Sequence, residues 1–158
     1  MSNMTIIGAG SWGSSLSVLL SANDQQVTLW SCFPEEIDML QSCREHKDKL
    51  PGVKIPERVF MTTDLAEAVR HADQVVFVVP SQTLRTTARL MAPHLSEEAV
   101  LVCCSKGLEE GTGLRLSEVL AQELPGHPLV GLYGPSHAEE VALGIPTTIV
   151  AASADKDA

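Results

Sequence analysis

The chain has 158 residues, enough for one domain with a real core, and its 44% hydrophobic and 20% charged residues exclude a disordered chain. A formal net charge of -9 without a basic stripe argues against a nucleic-acid partner. The longest purely apolar runs, 75–79 and 99–104, are strand-sized and too short to span a bilayer, and the start has no charged n-region or cleavage site, so a cytoplasmic protein with no membrane partner is expected.

In chain order, the first predicted strand is Met4–Ile7, followed by Gly8-Ala-Gly-Ser-Trp-Gly13 and a helix over Trp12–Ser21. Gly8, Gly10 and Gly13 have G-x-G-x-x-G spacing. Gly8 permits a tight turn, Gly10 lets the backbone approach a pyrophosphate, and Gly13 lets the helix lie close to the sheet. The helix N-terminus adds free N–H groups and a positive dipole end. A glycine triplet alone is weak; its position between a strand and a helix makes it an argument for a dinucleotide.

The second predicted strand, Val27–Trp30, runs through Ser31, Cys32 and Phe33 into a helix at Pro34–Glu45. About 20 residues after the glycine loop, an acid usually holds the ribose of NAD, or a base the extra phosphate of NADP. Ser31, Cys32 and Phe33 are neither, so weak discrimination between NADH and NADPH is expected. Lys49 lies in the Pro- and Gly-broken loop 47–56 and is a candidate cation for this end of the site, without an assigned position. Trp30 suits either the adenine or the core.

Strands follow at Val59–Met61, Val75–Val79, Ala99–Cys103, Leu129–Leu132 and Thr147–Val150, and helices at Leu65–Arg70, Thr83–Met91, Gly113–Leu124 and Ser136–Leu143. Asp64 and Glu67 read as a capping box. The strands are apolar on both faces, as in a parallel sheet covered by helices. The alternation predicts an α/β fold with a doubly wound, mostly parallel, Rossmann-like sheet, in a single dinucleotide-binding domain over 1–158. Cys32, Cys43, Cys103 and Cys104 match no zinc pattern and are read as reduced thiols, with Cys103 and Cys104 pointing to opposite sheet faces. No His pair has metal-ligand spacing, so no metal is expected.

Ligands of open α/β sheets sit beyond the carboxyl ends of the strands. The segments there are 8–13, 31–33, 80–82, 105–107 and 134–138: small, polar or Gly-rich, with Lys106 as their single cation. They describe a cleft in which Lys106 anchors an anionic or carbonyl-bearing substrate, unless it is simply a solvated surface lysine. Ser136, His137, Glu139 and Glu140 do not make a hydrolytic triad, because neighbours along a helix do not face one another. His137 reads as a packing or hydrogen-bonding residue at a helix start.

The motifs Gly8–Gly13, Leu50-Pro-Gly-Val-Lys-Ile-Pro56, Val79-Pro-Ser-Gln82, Ser105-Lys-Gly-Leu-Glu109, Thr112-Gly-Leu-Arg-Leu-Ser-Glu118, Gly134-Pro-Ser-His-Ala-Glu-Glu-Val141 and Gly144-Ile-Pro-Thr147 occur in this order. Together they resemble the N-terminal half of NAD(P)-dependent glycerol-3-phosphate dehydrogenase. The resemblance implies hydride transfer between NAD(P)(H) and a phosphorylated small molecule, interconverting dihydroxyacetone phosphate and sn-glycerol 3-phosphate for phospholipid synthesis. It puts Ser11, Trp12, Lys106 and Ala138 against the cofactor, beside the glycine loop and the turn residue Cys32. It puts Lys106, Gly134 and Ser136 at the substrate end. The family often has basic residues where this chain has Cys32 and Phe33, and an aromatic residue where it has Lys49. The proton-transfer lysine belongs to the family's second, helical domain, so the sequence supplies no residue for the catalytic role. The 158 residues alone are expected to bind cofactor weakly, to turn over nothing, and to expose an apolar patch that favours association. The complete protein is expected to be a homodimer. The alternatives are a free-standing dinucleotide sensor or regulatory module, and a related two-domain dehydrogenase with another substrate.

Overall fold

The computed structural model describes residues 2–156. Its first strand, β1 (Asn3–Ile7), shows why the sheet lies in the middle. Ile6 and Ile7 are both fully buried, although consecutive residues of a strand point to opposite faces. Ile7 packs with Phe77, Leu84, Met91, Leu101 and Leu120. Ile6 packs with Leu16, Leu29, Ile37, Leu40 and Met61. Two apolar cores therefore sandwich one sheet, as a parallel sheet requires.

The other strands are β2 (Gln26–Trp30), β3 (Phe60–Thr62), β4 (Gln74–Phe77), β5 (Val100–Cys103), β6 (Leu129–Tyr133) and β7 (Val150–Ser153). Their order is β3-β2-β1-β4-β5-β6-β7, parallel throughout except for the antiparallel β6–β7 pair. The helices are α1 (Ser11–Ala22), α2 (Pro34–Cys43), α3 (Leu65–Val69), α4 (Ser81–Met91), α5 (Leu116–Glu123) and α6 (Ala138–Ala142). Residues of α1 and α2 fill one core, and residues of α3, α4 and α5 the other. The chain leaves β1 toward β2 on one side and returns to β4 on the other. The connections diverge there and open a crevice at the carboxyl ends of β1 and β4.

Four local expectations are corrected. Asp64 caps α3 by accepting the Glu67 N–H, but Glu67 does not reach back. Its carboxylate accepts from Thr62 Oγ1 instead, and the same hydroxyl accepts the Asp64 N–H. The helix expected from Gly113 starts at Leu116, because Gly111 and Gly113 take positive φ of 83° and 70° in a turn; Glu118 then accepts the Arg115 N–H. The helix expected from Ser136 starts at Ala138, with His137 at its N-cap. The last strand is Val150–Ser153 rather than Thr147–Val150. The segment before it turns back over α6, where the Ile145 N–H donates to Glu140, and the Ser136 and Thr147 hydroxyls bond to each other.

Burial on both faces also stops short of the edge. Every residue of β7 is exposed; Tyr133, Ile149 and Val150 present apolar surface at this edge, and Leu143 and Ile145 do so after α6. Cys103 and Cys104 do join opposite cores, and all four cysteines are free. Burial pushes the Cys104 thiol up to about 12 and raises Cys103 as well.

Candidate cofactor and substrate site

A cavity of about 990 Å³ occupies the crevice. Segments after β1, β2, β4 and β5 and the start of α6 all contribute to its wall, as the sheet topology demands. Gly8, Gly10, Ser11, Trp12, Cys32, Lys106, Ser136 and Ala138 line it. Gly134 lines a small adjoining cleft with Trp12, Cys104, Lys106 and Ser136. Gly13 lines neither, for a reason visible in its geometry.

The three loop glycines have different duties. Gly8 has φ +115°, a conformation that L side chains rarely adopt. A Cβ on Gly13 would lie 1.9 Å from the Gly8 carbonyl oxygen, so Gly13 is where α1 meets the loop. A Cβ on Gly10 would meet no protein atom within 4 Å. Gly10 borders the cavity, so that methyl would enter it. Gly10 is also the N-cap of α1, with no capping side chain and no acid in the first turn. The first-turn amides have no partner within the helix and suit an anion. Free amides, positive dipole end and unfilled Cβ space together fit a pyrophosphate.

Lys106 follows Ser105, whose hydroxyl donates to Val79 O at 2.7 Å and ties the loop to the end of β4. Lys106 is exposed, beside the cavity. Its loop is clamped from α4. The Gln82 side chain accepts the Glu110 N–H and donates to Leu108 O. Arg85 grips Glu109 through two nitrogens, at 2.6 and 2.8 Å, and also donates to Glu123 and Gln122 on α5. The bonds from Arg85, then from Thr112, hold the Glu109 carboxyl down at about 2. A bidentate guanidinium fixes orientation as well as distance. The sequence carries no signal of this clamp, because its partners are 24 to 38 residues apart.

The turn after β2 is less neutral than its sequence. Cys32 and Phe33 are exposed there, with Phe33 at the N-cap of α2. Glu36, in the first turn of α2, lines the same wall, and so does Lys49 from the loop. The Glu36 carboxylate accepts from Lys49 Nζ at 2.6 Å, His46 Nε2 at 3.0 Å and Ser31 Oγ at 2.5 Å. Burial pushes this carboxyl up, but the bonds from Lys49, Ser31 and His46 outweigh it and hold the group below its ordinary range. Lys106 is therefore not the only cation of the cavity. Trp30 belongs to the core and also borders the cavity, and its indole N–H donates to Thr63 O.

A second cavity of about 910 Å³ lies along α5, β6 and β7, bordered by Arg115, His127 and Tyr133. It has no part of the glycine loop or the β2 turn. Among the described residues no cluster of three His, Cys, Asp or Glu side chains could hold a metal, and no helix is long and apolar enough to cross a membrane.

Residues 3–158 match the family described as NAD-dependent glycerol-3-phosphate dehydrogenase N-terminus. The chain belongs to that family. It is 47% identical over 151 residues to glycerol-3-phosphate dehydrogenase [NAD(P)+] of Agathobacter rectalis, covering 96% of this chain and 45% of the relative. It is 41% identical over 156 residues to the Bacillus subtilis protein of the same name, covering 97% of this chain and 45% of that protein. The crystal structure of glycerol-3-phosphate dehydrogenase from Coxiella burnetii superposes with a TM-score of 0.93 at 32% identity, over 99% of this chain and 48% of the other. The chain thus spans about half the length of the relatives it matches. The Rossmann-like fold and the resemblance to the cofactor-binding half of this family both hold.

Proposed function

We propose that this chain is the cofactor-binding domain, over 1–158, of an oxidoreductase that interconverts dihydroxyacetone phosphate and sn-glycerol 3-phosphate with NAD(P)(H), in the cytoplasm. One observation carries the reading: the glycine loop, the β2 turn and the Lys106 loop all open into one cavity at the sheet's switch point. The bound nicotinamide supplies the hydride. The chain's own residues bind and orient. Gly8, Gly10, Ser11 and Trp12 form the pyrophosphate cradle, Gly13 lets α1 pack against the loop behind it, Cys32 stands at the ribose end, and Ala138 lines the same cavity. Lys106 joins the cofactor cavity to the cleft of Gly134 and Ser136. An ammonium there attracts a phosphorylated substrate and favours the negative charge that develops on a carbonyl oxygen during hydride transfer. Gly134 admits no side chain, since a Cβ would stand 2.4 Å from Thr148 O.

The proton-transfer group and the remaining substrate contacts are assigned to the family's second domain. The exposed apolar residues around β7 suit packing against such a domain or a second subunit. The 158-residue chain is therefore expected to bind NADH in calorimetry and to show no steady NADH oxidation with dihydroxyacetone phosphate. Turnover above that of a Lys106→Ala control would refute the division of labour. Failure to bind either NADH or NADPH would refute the cofactor role.

A further inference from the structure

The cluster around Glu36 has a division of labour of its own, and its role rests on the cavity being a dinucleotide site. Lys49 N–H donates to His46 Nδ1 at 3.2 Å, so the His46 proton sits on Nε2 and points at Glu36 Oε1. His46 is 2% exposed, and the Leu50 N–H closes its turn on His46 O at 2.8 Å. Ser31 holds Oε2 from the end of β2 and is also buried. Two of the three donors to Glu36 are thus built into the fold. The third is not. The Lys49 side chain is half-exposed, on a flexible stem, and Glu36 is its ion-pair partner. Removing Lys49 from Glu36 leaves an acid still held by His46 and Ser31, facing a cavity in which the dinucleotide's ribose end would lie.

We propose that Glu36 and Lys49 together select the cofactor: Glu36 receives the adenosine ribose 2′-hydroxyl of NADH, and Lys49 swings from Glu36 to the 2′-phosphate of NADPH. The pair is neutral as a unit, so it neither attracts nor repels a dinucleotide strongly. It offers an acceptor to a hydroxyl and a cation to a phosphate, which is the chemical difference between the two cofactors. Dual acceptance then arises from one ion pair that opens, rather than from an absence of charge in the turn.

The test is the dissociation constant of NADH and of NADPH for the 158-residue chain, by calorimetry, in the native protein and in Lys49→Met, Lys49→Arg and Glu36→Gln. Native affinities should agree within about tenfold. Lys49→Met should weaken NADPH by about tenfold or more and NADH by less than about twofold, since one charge-assisted contact is lost for NADPH alone. Lys49→Arg should restore NADPH binding, which a packing role for the lysine stem would not require. Glu36→Gln should move the ratio of affinities about tenfold toward NADPH, because a repelling charge is removed while the His46 and Ser31 donors keep an acceptor. Higher salt should weaken NADPH more than NADH in the native chain and lose that difference in Lys49→Met. A native chain that binds both cofactors, with a ratio unmoved in Lys49→Met and Glu36→Gln, overturns the selector and leaves the cofactor role intact. A native chain that binds neither overturns both.

Discussion

Replacing Gly10 or Gly13 by alanine adds the same methyl group three residues apart, and the two variants should fail differently. At Gly10 the backbone has φ -65° and ψ -171°, which alanine adopts freely, and the new Cβ touches no protein atom within 4 Å. Alanine restricts the unfolded chain, a gain of about 0.4–1 kcal/mol, and is a poorer N-cap by a comparable amount. Folding stability should therefore stay within about 1 kcal/mol of the native value. In the proposed cofactor role, the methyl would instead occupy the pyrophosphate's space. Displacing two charge-assisted amide–phosphate bonds at about 1.5–3 kcal/mol each costs roughly 3–6 kcal/mol, or about 100-fold and more in affinity. At Gly13 alanine gains about 1 kcal/mol of helix propensity. Its Cβ, however, would stand 1.9 Å from a backbone oxygen, so α1 or the loop must move. Overpacking of this kind costs about 1–3 kcal/mol or more, and the burden falls on the fold. Thermal unfolding and NADH titration calorimetry separate the two. Gly10→Ala should melt like the native chain and lose NADH. A 1.9 Å contact with a backbone oxygen puts the cost at the upper end, a net loss of about 2 kcal/mol, so Gly13→Ala should melt about 4–8 °C lower. Native-like NADH affinity in Gly10→Ala, or a native-like melt in Gly13→Ala, would refute this assignment of the glycines.

The Glu109 clamp makes a pH prediction. A carboxyl lowered from 4.5 to about 2 contributes stability that is complete above 4.5 and is lost as the pH falls toward 2. Arg85→Met should raise the Glu109 midpoint toward 4.5 in a carbon-detected NMR titration, and an unmoved midpoint would show that Arg85 does not set it. The thiols should divide by burial. A disulfide reagent at neutral pH should reach the exposed Cys32 quickly and leave Cys103 and Cys104 unmodified until the chain unfolds. Equal rates for buried and exposed thiols would contradict the two-core packing.

Legibility in the residues tracks burial. Strands with a buried face, such as β1 and β5, were placed to within a residue or two, because apolar runs of strand length between helical stretches have few other meanings. β7 begins three residues after the expected Thr147, because an exposed edge strand carries no burial pattern and Gly144 and Pro146 set no register. The glycine loop, the β2 turn and Lys106 follow strand ends, so the sequence alone brings them to the one cavity they line. Glu36 leaves only a faint mark in the sequence. With Ile37 and Leu40 facing the core, Glu36 falls at the border of the buried stripe, in the first turn beside the strand end. Lys49 and His46 lie in a loop without periodicity, where only the fold brings 36, 46 and 49 together.

Ile6 and Ile7 anchor separate cores, so a one-residue slip of β1 would exchange them and is strongly disfavoured. Gly8 is the next residue, and its N–H donates to Trp30 O at 2.9 Å. The shape of the glycine loop is therefore inherited from side chains buried behind it. In the proposed cofactor role, a dinucleotide would meet a loop already fixed by the sheet, and little of its binding energy would be spent ordering it. Substitutions at Ile6 or Ile7 should accordingly weaken cofactor affinity from behind the sheet, with the cavity wall chemically unchanged.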